Sequence, residues 1–196
     1  LSYMPFAEYN LIFDDEQPLS VCENFITPQT ELISAYSIYE TLPKEKNISS
    51  YEHFKKCCEI QGITNTEKFL DYMLAVDYII ANSDRHFRNF GVIRNADTLE
   101  WIGFAPLFDC GTSLWFNQIT KNIKPIKYDE SKPFADTHSK QIKLATDLTW
   151  IDFQKLDGIE EDCRKILSSS KFIDEARCDN ICYAVSKRIN MIKDLL

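Results

Sequence analysis

Apolar and polar positions alternate along the chain in two rhythms. Short strand-like stretches cover residues 8–13 and 19–25, on either side of the acidic turn Asp14-Asp15-Glu16-Gln17-Pro18, and predict a hairpin whose pairing stops at the proline. A lone hairpin is barely stable in water, so it should join a larger sheet upstream or pack on elements later in the chain. After Thr27-Pro28, residues 29–41 are mixed and read as a short helix followed by loop, and residues 42–48 as connector. Ser49-Ser50 ahead of Glu52 is a capping signal for a helix to about Gln61, with Gly62 as its left-handed stop. Its apolar face is assigned to Phe54, Cys57, Cys58 and Ile60, with His53 on the surface.

The next helix, capped by Thr64 or Thr66, runs to about Asn82. Phe69, Met73, Val76 and Ile80 make one stripe, and Leu70, Leu74, Tyr78 and Ile79 cover much of the remainder. A helix apolar nearly all round is a buried one. Asp77 interrupts it and needs partners, because an unpaired buried charge is very costly; it reads as a structural group tying down the loop after the helix. Residues 90–94 and 99–104 flank the turn Asn95-Ala96-Asp97-Thr98 and predict a second hairpin. Residues 150–156, 159–167 and 174–195 are helical, the last with a buried stripe of Cys178, Cys182, Val185, Ile189 and Ile192. Core packing accounts for those cysteines without metal, and His138 falls on the surface.

Composition narrows the picture. At 196 residues with 44% apolar content the chain has ample core material. Its seven cysteines are odd in number and form no C-x₂-C pair, which argues against a disulfide framework or a zinc site and for a reducing cytoplasm. No run is long enough for a membrane span, and no basic signal peptide opens the chain. It starts at Leu1 rather than Met, so an upstream portion is expected. The net charge of -8 argues against a direct nucleic-acid surface. Up to Pro43 there are seven acids and no Lys or Arg, so no phosphate-gripping cation lies in that segment.

Candidate chemistry sits between the long helix and the second hairpin, and again at the hairpin's exit. Asp84 and Asn89 are spaced D-x-x-x-x-N, the spacing with which a protein-kinase catalytic loop places a hydroxyl-orienting Asp and a metal-binding Asn. Asp77 and Asn82 have the same spacing but lie within the helical pattern; only the later pair is placed in a loop. Asp109, in Phe108-Asp109-Cys110-Gly111, stands where kinases carry the Mg²⁺-binding Asp of D-F-G, with Cys in place of Phe. Residues 112–134 then take the position of an activation or substrate-docking segment, with Thr112, Ser113 and Thr120 as hydroxyls open to modification. Lys121, Lys124, Lys127 and Lys132 read as solvated loop or a basic rim.

The run D-Y-I-I-A-N-S-D-R-H-F-R-N-F-G from Asp77, followed after the hairpin by A-P-L-F-D, resembles the C-terminal lobe of HipA-like serine/threonine kinases, where the matching cores are D-x-H-x-x-N-F and T-P-F-Y-D. Cys22-Glu23-Asn24-Phe25 is similar to that family's V-E-R-F hinge, and D-R-H-x-x-N also resembles phosphatidylinositol 3-kinases. The resemblance implies an α+β, protein-kinase-like fold: the last hairpin of an N-lobe and hinge in residues 1–27, then a mostly helical C-lobe in residues 28–196. It implies ATP and Mg²⁺ as cofactors, transfer of the γ-phosphoryl group to a protein hydroxyl, and an antitoxin partner. In that frame Asp84 and His86 are catalytic, Glu23 and Phe25 meet the nucleotide, and Asn89 and Asp109 hold the metal. Arg85 and Arg88 are candidates for steadying phosphate.

The phosphate-binding Lys and glycine-rich loop have no counterpart: the five glycines are scattered, and Lys44 comes after the hinge. An N-lobe supplied in cis or in trans is therefore implied, or else lost catalysis. Two other readings stay open. One is a non-catalytic nucleotide-binding or toxin–antitoxin interaction module, a pseudokinase or split kinase. The other is a metal-dependent phosphoesterase built on Asp84, His86 and Asp109.

Overall fold

The computed structural model describes residues 5–126 and 129–196, so Lys127 of the lysine-rich loop lies outside the described residues. The chain forms two compact units: Leu1–Phe69 with His86–Asp109, and Leu70–Arg85 with Cys110–Leu196.

In the first unit, strands β1 (Tyr9–Asp14) and β2 (Gln17–Cys22) form an antiparallel two-stranded sheet of their own. The loop is only two residues long, Asp15 and Glu16, both with positive φ, the geometry that matches strand twist in a tight hairpin. Pro18 does not end the pairing. It lies within β2 opposite Phe13, one pair beyond the loop-closing Asp14 and Gln17, where the ladder asks for no N–H from it. Every residue of both strands is exposed, and no larger sheet covers them among the described residues. The hairpin is moored instead at its root: Ala7 donates to the Leu107 carbonyl at 2.8 Å, and Leu107 to the Pro5 carbonyl at 3.0 Å.

A second sheet, ordered β3-β4-β5, is built from Thr30–Ser34, Gly91–Asn95 and Trp101–Phe104. Strand β3 corrects the reading of residues 29–41 as helix and loop. Its Leu32 and Ile33 pair with Ile93 and Val92 of β4, and Glu31 meets Arg94 at 2.7 Å, so distant partners decide a stretch whose local pattern is mixed. Only Ala35–Tyr39 is helical there (α1), capped by Ser34. Gly91 is required by crowding: a Cβ at that position would come within 2.3 Å of the Ile33 carbonyl oxygen.

Helix α2 (Ser50–Ile60) begins as its capping signal predicts, the Ser49 hydroxyl accepting from the Glu52 amide at 3.1 Å. It ends in a Schellman turn, with Gly62 donating to Glu59 and Ile63 to Cys58. That turn carries Ile63 into the core and leaves Ile60 58% exposed, a correction to the assigned apolar face. His53 takes a core place, not a surface one. Its Nε2 lies 3.0 Å from the Tyr39 carbonyl and its ring meets the Tyr39 ring edge-on at 4.5 Å. Stacked Phe69 and Phe104, 4.0 Å apart, and Phe54 against Phe90, 5.6 Å apart, fill the centre of this unit.

The second unit packs α6 (Glu175–Lys193) against α5 (Ile159–Ser168) and the segment 114–123. Ala81, Trp115, Ile123, Ile181, Ala184, Val185 and Ile189 are its buried cluster; all five residues of the predicted α6 stripe are buried, and Val185 and Ile189 belong to this cluster. Residues 150–156 are not a full helix; a 3-10 turn covers Phe153–Leu156. His138 opens the short α4 (His138–Gln141) and is buried rather than on the surface, edge-on to Tyr78. Burial, with Arg188 nearby, pulls its imidazole down to about 3. Arg188 is wholly buried as well, held by Asp129 at 2.8 Å and by the carbonyls of Pro125 and Tyr78. No helix among the described residues is long and apolar enough to cross a membrane.

Candidate functional site

The long helix α3 (Thr66–Ile80) stops in a second Schellman turn: Ala81, at φ 54, donates to Tyr78, and Asn82 to the Asp77 carbonyl. A left-handed alanine costs about 1 kcal/mol, offset here by burial of its methyl in the second unit's core. The turn aims Asn82 back along the helix. Its Nδ2 donates to Asp77 Oδ1 at 3.0 Å, while its Oδ1 accepts from the Asp84 amide at 3.3 Å and from the Thr112 hydroxyl at 2.8 Å. Asp77 thus ties down the loop, as the sequence predicts.

Arg85 completes this arrangement and does not point at a phosphate. Its Nε and Nη2 grip the two Asp77 carboxylate oxygens at 2.9 Å each, with both side chains 0% exposed, and Nη2 also meets Cys110 Sγ at 3.1 Å. Burial pushes the Asp77 carboxyl up, against the pull of Arg85. Burial also draws the Arg85 guanidinium down, but Asp77 outweighs it and keeps Arg85 firmly protonated. Ser83 adds two bonds to the Thr112 carbonyl, and Leu114 donates to Ile80 at 2.7 Å. Residues 82–85 are therefore fastened to residues 110–114. Cys110, the residue after Asp109, meets this loop through its sulfur on Arg85.

Asp84 itself is half-buried, and its Oδ1 accepts from Lys132 Nζ at 2.6 Å. No helical or strand period in the sequence marks Lys132 for this contact.

In the first unit, His86 Nδ1 accepts from the Arg88 amide at 3.2 Å, which leaves the proton of the neutral ring on Nε2. Its carbonyl accepts from the Asn89 amide at 2.8 Å. Arg88 is exposed and lies 4.2 Å over the Tyr36 ring. Asn89 is largely buried, two residues before β4; Asp109 is exposed, five residues after β5. Because β4 and β5 pair antiparallel with Val92 opposite Phe104, the hairpin's open end carries both. Asp109 holds a left-handed backbone, φ 54, and its amide donates to the Tyr9 hydroxyl of β1 at 3.1 Å. Phe25 packs on Phe108, centroids 5.6 Å apart, which brings the predicted hinge beside the residue preceding Asp109. Glu23 is exposed.

One carboxylate and one amide oxygen suit Mg²⁺, which keeps water and phosphate among its ligands and needs few protein groups. Among the described residues no set of three His, Cys, Asp or Glu side chains gathers as a metal site. A cavity of about 390 Å³, lined by Thr64, Lys68, Phe69 and Ile102 among others, contains none of the predicted site residues.

No protein-family model and no curated protein matches the chain. Among solved structures, a Helicobacter pylori proinflammatory kinase, CtkA, is similar with a TM-score of 0.71, over 98% of this chain and 73% of that one, at 18% identity. A likeness at that identity is one of fold, and it gives this chain a mixed α+β, kinase-like fold.

Proposed function

We propose that the chain is the C-lobe of a HipA-like serine/threonine protein kinase that transfers the γ-phosphoryl group of ATP to a protein hydroxyl. The observation that carries this is the hairpin β4–β5 in a kinase-like fold, with Asn89 and Asp109 both at its open end. In this reading Asn89 and Asp109 hold Mg²⁺, which when bound neutralises the phosphate oxygens. Asp84 orients the substrate hydroxyl and takes its proton, and His86 Nε2–H supports Asp84 or a phosphate oxygen. Glu23 and Phe25 flank the adenine. Phosphoryl transfer asks for positioning and charge neutralisation more than covalent chemistry, and these residue types supply both. Residues 1–27 act as the end of an N-lobe and the hinge and residues 28–196 as the C-lobe; the rest of the N-lobe comes in cis or in trans, the partner is a protein substrate or an antitoxin, and the compartment is the cytoplasm.

In the full-length protein, Asp84→Asn lowers phosphoryl transfer by about 10²–10⁴, while Asp109→Ala also weakens Mg·ATP binding; radiolabel transfer and nucleotide titration measure the two. Wild-type behaviour in both variants rejects the assignment. A second reading is a non-catalytic nucleotide-binding module. It requires Mg·ATP binding with no turnover.

A further inference from the structure

Lys132 belongs to the segment after Asp109 and looks from sequence like one of several solvated lysines. Its surroundings are built, not loose. The buried side chain of Gln141 on α4 braces the turn that carries Lys132: Nε2 donates to the Lys132 carbonyl at 2.7 Å, and Oε1 accepts from the Phe134 and Ala135 amides at 3.0 and 3.3 Å. Ser131, also buried, closes the turn from inside, its amide donating to the Asp136 carbonyl and its hydroxyl to the Ala135 carbonyl. From this braced backbone Lys132 Nζ reaches Asp84 Oδ1 at 2.6 Å. With side chains 55% and 37% exposed, the pair adds at most about 1 kcal/mol to stability. Stability is a poor reason for so fixed a mount.

We propose that Lys132 is a functional partner of Asp84: it positions the carboxylate and presents its ammonium to the phosphoryl group in transit. This rests on the phosphoryl-transfer reading above and deepens it. In the step, the substrate hydroxyl oxygen bonds to the γ-phosphorus and the bond from that phosphorus to the bridging oxygen breaks, its electron pair leaving on ADP. The hydroxyl proton passes to Asp84. A cation held against the accepting carboxylate offers its positive charge to the phosphoryl oxygens on which negative charge collects. The cation that the acidic first 43 residues do not supply thus comes from the other end of the site's sequence.

The test is steady-state transfer from Mg·ATP by the full-length protein, comparing wild type with Lys132→Met, Lys132→Arg, Asp84→Asn and the control Lys143→Met. We expect Lys132→Met to lower kcat about 10²-fold with little change in KM for ATP and in Tm, Lys132→Arg to recover most of that loss, and Lys143→Met to match wild type. Asp84-dependent transfer that persists unchanged, or rises, in Lys132→Met overturns the role of Lys132 alone. Transfer that is no greater in wild type than in Asp84→Asn overturns the phosphoryl-transfer reading, and this inference with it.

Discussion

Asp84 and Arg85 are neighbours in one loop, each joined to an opposite charge, and their fates differ completely. Arg85 turns inward to a bidentate grip on Asp77 with nothing exposed; Asp84 turns outward to a lysine that is more than half in solvent. Burial makes the first pair indispensable once formed, because losing either partner strands a charge away from water. Exposure makes the second pair nearly neutral for folding and leaves its groups open to chemistry. Within two residues the loop separates a buried tie from an exposed ion pair.

The largest expected effect attacks the buried half of that contrast. Arg85→Ala leaves Asp77 uncompensated and should cost about 3–5 kcal/mol in urea unfolding. Replacing both partners together, Asp77→Leu with Arg85→Leu, should restore much of it, and a single-variant loss below about 1 kcal/mol would erase the distinction. An intermediate effect extends the burial argument to His138. Unfolded chain takes up this proton near the ordinary 6.5 and the native state only at about 3, so between those values the native state binds fewer protons. Stability therefore falls as pH drops below 6.5, at about 1.4 kcal/mol per pH unit from this group. A His138→Gln variant should show a correspondingly flatter profile between pH 6.5 and about 5. The smallest effect belongs to the exposed pair: Lys132→Met should move the unfolding free energy by no more than about 1 kcal/mol, even where transfer collapses.

Much of the architecture is legible in the sequence because local rules decide it. The Ser49 cap, the Gly62 stop, the aromatic hairpin and the α6 stripe all come from chemistry within a few residues. The misreadings share a different cause. Strand β3 exists because β4 lies alongside it, and Pro18 is tolerated because of the pair it occupies, neither visible in a window. His53 and His138 look like surface groups until distant carbonyls and rings close over them. For the site, the D-x-x-x-x-N and F-D-C-G motifs mark Asp84, Asn89 and Asp109, and the apolar helix marks Asp77 as a tie. The inward turn of Arg85 depends on Asp77 one helix end away. Lys132, forty-eight positions after Asp84, is reached only through the Gln141 brace, which no spacing announces.

A close approach between two strands sets a last constraint. At Gly91 a single methyl would strike the backbone of β3, two residues after Asn89 and one residue before β4 takes up its pairing with β5. An alanine there cannot be absorbed by a side chain swinging aside, since the obstacle is a carbonyl; the two strands would have to part. The hydrogen atom at this position is thus a spacer of minimum size, and any lineage or designer altering it would shift the amide of residue 89 before touching the amide itself.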